Sequence, residues 1–310
     1  MRVGFIGLGN VGLPLARSLV RAGHEVRGFD LDAGRVARLV GSGGQAAMHV
    51  ADAVRQTEVA ITSLPHPQAI AAVVPGRAGM LAAMPAGSLW IEMSTTDAGE
   101  LKTHAAEAAG YGIEVLEAPV TGGVNRAWTG EISILVGGDE AVFARHRALF
   151  EAMGGAVAHM GPLGSASVVK VITNMLAFVH LAASGEALLL AKRAGIDLAR
   201  AFEGIRISSG NSFAHETEGQ LVLNGSYDCG FTLDLALKDF GLAMALATAS
   251  GTPVELAGQV HRLFEEARAR YGGGAWSTEA VRLLEDQLGE MLRAPGFPPV
   301  LPGVEREERE

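Results

Sequence analysis

The chain has 310 residues, 48% of them hydrophobic and 19% charged, with a formal net charge of −9. That is apolar material for about two folded domains and excludes a disordered chain. The acidic balance, without a basic stripe, argues against a nucleic-acid partner. The single cysteine, Cys229, permits no internal disulfide and fits a reducing compartment. It reads as a small buried hydrophobe, and no histidine–cysteine cluster has metal-ligand spacing.

The opening "MRVGFIGLGN" reads as a strand entering a turn, not as a charged-then-apolar secretion signal. Apolar runs at 3–6, 59–64, 89–93 and 132–136 read as strands, and Ala-rich patterns such as 13–22 and 97–109 as helices between them. Alternating strands and helices imply a parallel sheet covered on both faces. From Ser165 the pattern becomes wholly helical, over about 165–194, 197–207, 211–223, 232–250, 253–271 and 276–293. The first of these is too long for a connecting helix and reads as the link between two domains. The longest uncharged helical stretch, 171–185, falls short of the ~18 residues of a membrane span. The protein therefore reads as soluble and cytoplasmic, with no membrane partner. The end, "APGFPPVLPGVEREERE", is rich in proline and then in charge and reads as a loose tail.

Three glycines, Gly7, Gly9 and Gly12, follow the first strand as G-x-G-x-x-G, with Leu8, Asn10 and Val11 between them. Gly7 permits a tight turn, Gly9 a close backbone approach to a pyrophosphate, and Gly12 close packing of helix on strand. The helix N-terminus then faces the phosphates. Asp30 ends the next strand, 21 residues beyond Gly9, where a carboxylate can accept from both ribose hydroxyls of NAD and repel the 2′-phosphate of NADP. The nearest following arginine is Arg35. The pattern is that of a dinucleotide-binding Rossmann domain that takes NAD in preference to NADP.

In "MGPLGSASVVKVITNML" a glycine-rich turn runs into an apolar helix that carries Lys170 and Asn174. Residues four apart share a helix face. A lysine snorkelling at a helix start is one reading. The other is a general acid/base, since removing a hydroxyl proton as hydride leaves carbon suits an amine whose pKa falls from ~10.4 toward neutrality on burial. Asn174 can then orient the hydroxyl. A second loop, "EAPVTGG", ends in Thr121, Gly122 and Gly123, whose backbone N–H groups and hydroxyl form a cradle for a carboxylate, or else an ordinary strand-to-loop turn.

The chain resembles the β-hydroxyacid dehydrogenases, the group containing 3-hydroxyisobutyrate dehydrogenase and tartronate semialdehyde reductase, over roughly residues 2–293. Four motifs carry the resemblance: "GFIGLGNVG", "EAPVTGG", "GPLGSASVVKVITN" and "FTLDLALKDFGLA". It implies a Rossmann domain with a doubly wound, mostly parallel sheet over 1–163, a long interdomain helix over 164–194 and an all-α substrate and oligomerisation domain over 195–294; the tail over 295–310 is read from its composition as flexible, or as an arm that grips a partner subunit. It implies that Lys170 is the catalytic acid/base, that Thr121, Gly122, Gly123 and Asn174 hold a small carboxylate substrate, and that Phe231 and Phe213 line the pocket. Leu64 and Pro65 in "SLP", together with Thr95, are implied cofactor contacts, and Lys238 closes over cofactor and substrate. A homodimer or homotetramer is implied.

The chain departs from the family pattern at Thr121, where serine is usual, and in the bulky Arg126 and Trp128 that follow. Arg126 meets either a second negative group on the substrate or solvent; Trp128 reads as packing. The function so implied is NAD-dependent oxidation of a small β-hydroxy acid. The alternatives are reduction of a small aldehyde acid of the tartronate or succinic semialdehyde type, imine reduction, or a non-catalytic dinucleotide-binding role.

Overall fold

A computed structural model describes residues 1–303, and the chain divides into two compact units, residues 1–170 and residues from 171 onward. The first unit contains strands β1 (Arg2–Ile6), β2 (Glu25–Phe29), β3 (Gln45–Ala46), β4 (Val59–Thr62), β5 (Leu89–Glu92), β6 (Glu114–Glu117), β7 (Val120–Thr121), β8 (Ser133–Gly138) and β9 (Ala156–Gly161). Its helices are α1 (Gly12–Arg21), α2 (Ala33–Gly41), α3 (Val50–Val54), α4 (Pro67–Val73), α5 (Met80–Ala83), α6 (Ala98–Gly110), α7 (Gly123–Thr129) and α8 (Glu140–Met153). Helix α9 (Ser165–Arg193) begins in this unit and continues into the next.

The sheet order is β3-β2-β1-β4-β5-β6-β8-β7, with β9 beside β8. From β3 through β6 all pairings are parallel; β8 runs antiparallel to β6 and β7. The order reverses between β1 and β4, which opens a crevice beyond the carboxyl ends of these strands. Alternation of side chains sends Val3, Phe5, Val59, Ile61, Leu89 and Ile91 into the core on one face, and Ile6, Ala60 and Trp90 into that on the other. Central strands buried on both faces explain why the sequence shows continuous apolar runs there.

The second unit is helical: α10 (Leu198–Arg206), α11 (Phe213–Glu216), α12 (Glu218–Asn224), α13 (Leu233–Ser250), α14 (Glu255–Tyr271) and α15 (Glu279–Leu288). Phe178, Phe240 and Phe264 meet at its centre, with ring centroids 5.2–6.0 Å apart.

The cut between the units, at 170/171, falls within the interdomain helix expected over 164–194, and the first turn of α9 is bonded to the sheet unit. Four expectations are corrected. The helix expected over 211–223 is two helices: Thr217, at φ −100° and ψ −71°, interrupts it, its hydroxyl donating back to the Phe213 carbonyl at 2.8 Å. The one expected over 276–293 is helical only over Glu279–Leu288, since Gly289 ends it in the left-handed conformation at φ 64°.

The chain after 294 is not loose from the start. Asn224 donates to the Phe297 carbonyl at 2.9 Å, the Phe297 ring stands edge-on to Phe202 at 4.9 Å, and Leu301 is buried. Apolar residues between the prolines hold it; residues 304–310 of the expected tail lie outside the described residues. By length and composition α9 is also long and apolar enough to cross a membrane, contrary to the shorter stretch read from sequence. It nevertheless supplies Phe178, Leu181 and Leu188 to the helical core, as a core helix does.

Candidate active site

The glycine turn is built by close approach. A Cβ on Gly7, at φ +91°, would lie 2.2 Å from the Ser63 carbonyl oxygen, and one on Gly12 would lie 2.0 Å from the Gly7 oxygen. Only glycine fits either place. A Cβ on Gly9 would meet nothing nearer than the Arg35 guanidinium at 3.7 Å, so this glycine faces open space. Val11 at the cap of α1 offers no side-chain acceptor, which leaves that helix start for an external anion. Leu8 N–H donates to the Asp30 carboxylate at 2.6 Å, and Asp32 N–H donates to its other oxygen at 2.8 Å. The residues thus fit a dinucleotide. Arg35, the nearest following arginine, stands 4.0 Å from Asp30, so a cation does reach the carboxylate expected at the ribose.

The two loops implied for the cofactor, those of Leu64 and Pro65 and of Thr95, are tied together. Leu64 N–H donates to Ser94 Oγ at 2.8 Å, and Ser94 N–H donates to Glu92 at 2.6 Å. Glu92, fully buried at the end of β5, also accepts from Thr62, whose hydroxyl accepts from the Trp90 indole. Sequence reading missed Glu92, though an acidic residue at the end of an apolar run was its available signal.

Thr121 ends β7, paired with Ser133, and Gly122 and Gly123 follow at φ +121° and +85°. These conformations turn the chain into α7 and favour glycine at both positions. The stem of Arg126 lies against Gly122, where an added Cβ would be 3.0 Å from its Cδ. Trp128 packs on the sheet core and beneath the Arg17 guanidinium, 5.1 Å from the ring centroid, in accord with its reading as packing.

Lys170 lies on α9, only 8% exposed. In the second unit Asn174 donates through its amide to Asp239 Oδ2 at 2.6 Å, while Lys238 Nζ lies 2.7 Å from Oδ1. Asp239 is 2% exposed. It therefore links two expected site residues and was itself unassigned; its adjacency to Lys238 was the signal. Phe231 is only partly buried and stacks near Phe178, whereas Phe213 is 42% exposed. Burial pushes the Cys229 thiol above its ordinary range, which suits packing rather than nucleophilic attack.

Residues 2–161 match the NAD binding domain of 6-phosphogluconate dehydrogenase, and residues 164–284 match the NAD-binding domain of NADP-dependent 3-hydroxyisobutyrate dehydrogenase. A 2-(hydroxymethyl)glutarate dehydrogenase of Eubacterium barkeri is 32% identical over 290 residues, 93% of this chain and 96% of the relative. A 3-hydroxyisobutyrate dehydrogenase of Pseudomonas aeruginosa is 36% identical over 281 residues, 87% of this chain and 94% of the relative. Among solved structures, the 3-hydroxyisobutyrate dehydrogenase of Mycobacterium tuberculosis with L-serine superposes with a TM-score of 0.81 at 30% identity, covering 91% of this chain and 98% of that one.

Proposed function

Since the chain belongs to the β-hydroxyacid dehydrogenase family, an NAD(P)-dependent oxidoreductase lineage, we propose that it oxidises a small β-hydroxy acid of the 3-hydroxyisobutyrate kind with NAD. The observation that carries this reading is Lys170, an amine buried on a helix face that Asn174 shares one turn on.

In this reading Gly7, Leu8, Gly9, Asn10, Val11 and Gly12 hold the pyrophosphate, and Asp30 the adenosine ribose. Leu64, Pro65, Thr95 and Lys238 lie along the rest of the dinucleotide. Bound NAD supplies the hydride acceptor. The N–H groups of Gly122 and Gly123 and the Thr121 hydroxyl take the substrate carboxylate. Lys170 removes the hydroxyl proton as the carbon–hydrogen bond breaks, and returns one to the carbonyl oxygen in reverse. Asn174, its amide fixed by Asp239, orients that hydroxyl, and Phe231 closes the apolar side.

The choice of NAD over NADP rests on Asp30, whose charge opposes a 2′-phosphate; Arg35 beside it tempers that preference. We place the enzyme in the cytoplasm as a homodimer or homotetramer. The single cysteine supports the compartment, and light scattering tests the association.

The test is reduction of NAD, followed by absorbance, against 3-hydroxyisobutyrate, 3-hydroxypropionate, serine, glycerate, threonate and 4-hydroxybutyrate. One substrate turned over strongly by the wild type and not by Lys170→Ala is the expected result. Tight NAD binding with no turnover on any of them refutes it.

A further inference from the structure

Glu117 opens the "EAPVTGG" motif, yet nothing in the proposed chemistry uses it. It is the last residue of β6 and is 1% exposed. A buried carboxyl is costly unless fully bonded, and this one is bonded entirely to one place. Gly164 N–H and Ala166 N–H donate to Oε1 at 2.6 and 2.9 Å, and Ser167 N–H donates to Oε2 at 3.0 Å. The Ser167 hydroxyl donates to Oε2 as well. All four partners are donors, the pattern of a carboxylate rather than a carboxylic acid.

These donors are the opening of α9. The first N–H groups of a helix have no partner within it, and a negative charge there is also stabilised by the positive end of the helix dipole. Such a cap normally comes from the residue just before the helix; here it comes from 47 to 50 residues upstream. Room for it is made by Gly137 on β8, where an added Cβ would lie 2.2 Å from Glu117 Oε1. Lys170 stands one turn beyond Ser167 on the same helix, and Thr121 four residues beyond Glu117 on the same strand-and-loop segment. Both the root of the carboxylate loop and the root of the lysine helix are therefore fastened by one side chain.

We propose that Glu117 is a positioning residue, which fixes the start of α9 to the end of β6 and so sets Lys170 at a constant distance from the loop of Thr121, Gly122 and Gly123. This rests on the reading of Lys170 as acid/base. Glu117→Gln places an amide N–H against backbone N–H donors and removes the charge. Glu117→Asp keeps the charge with a shorter reach, and Ser167→Ala removes only one donor.

Four measurements on the full chain decide it. In Glu117→Gln, hydrogen exchange of the 164–170 amides accelerates at least tenfold at unchanged exchange of β1 and β4. The dissociation constant for NAD stays within about twofold, while kcat per NAD-binding site falls by about 10²-fold. Glu117→Asp recovers about a tenth or more of the lost rate, and Ser167→Ala loses about threefold. A role in stability alone would lower the number of NAD-binding sites and leave kcat per site unchanged, and that result overturns the proposal.

Unaccelerated exchange at 164–170 overturns it too, whatever the activity. Should the wild type turn over none of the acids, the acylation rate of Lys170 by acetic anhydride, read by mass spectrometry, replaces kcat. A rate altered at least threefold in Glu117→Gln and restored in Glu117→Asp sustains the proposal, and an unaltered rate refutes it, independently of which substrate the enzyme takes.

Discussion

The two units solve the same problem, how to hold a buried acidic group, by different means. In the sheet unit Glu117 accepts from three backbone N–H groups and a hydroxyl, Glu92 from backbone and hydroxyl donors, and the partly buried Asp30 from two backbone N–H groups. In the helical unit Asp239 is held by the side chains of Asn174 and Lys238, and Glu285 by Tyr227 and Arg293 together with the Leu292 N–H. Strand ends and turns present unpaired N–H groups to a carboxylate, whereas helix interiors have spent theirs. The sheet unit is therefore pinned by its backbone, and the helical unit depends on which side chains are present.

That contrast can be broken or sharpened by substitution. The largest effect belongs to Lys170→Ala: turnover falls by about 10³-fold or more while NAD affinity holds, as steady-state rates beside NAD titration will show. Asp239→Asn comes next. It removes the negative charge beside Lys238 and loosens Asn174, and kcat falls by about tenfold in steady-state assays. A backbone-pinned group behaves otherwise: Asp30→Ala leaves the fold intact and moves the NADP-to-NAD preference by about tenfold toward NADP, measured as a ratio of kcat/KM values. A selectivity that does not move removes Asp30 from its assigned role.

The smallest effect concerns stability and pH. Burial pushes the Glu218 carboxyl up to about 7. A raised carboxyl takes up its proton more readily when folded, so its contribution is present at low pH and is lost as pH rises from about 4.5 through 7. Glu218→Gln should flatten this loss and gain about 1 kcal/mol at pH 8 in denaturant titration of the helical unit, with little change at pH 4.

The same contrast explains how far the sequence could be read. Gly7 and Gly12 were legible because a close backbone approach leaves no choice of residue at either position. The parallel sheet was legible because central strands buried on both faces write continuous apolar runs. Asp239 and Glu92 were not legible as site residues. Asp239 holds Asn174 from 65 positions away and Glu92 accepts from Thr62 30 positions away, and no local pattern records those two pairings. The break at Thr217 was hidden for a related reason: a threonine hydroxyl competing for a backbone carbonyl looks in sequence like any polar residue on a helix.

The space above Gly137 has a historical consequence. Any side chain there would collide with Glu117, and a shortened acid would hold the helix start less well. Neither position can change alone without loss, so the order in which mutations arrive matters. A lineage departing from this arrangement must first acquire another cap for the start of α9 before either site is released. Libraries that randomise 117 and 137 separately will favour the parent pair; randomised together, they open the other solutions.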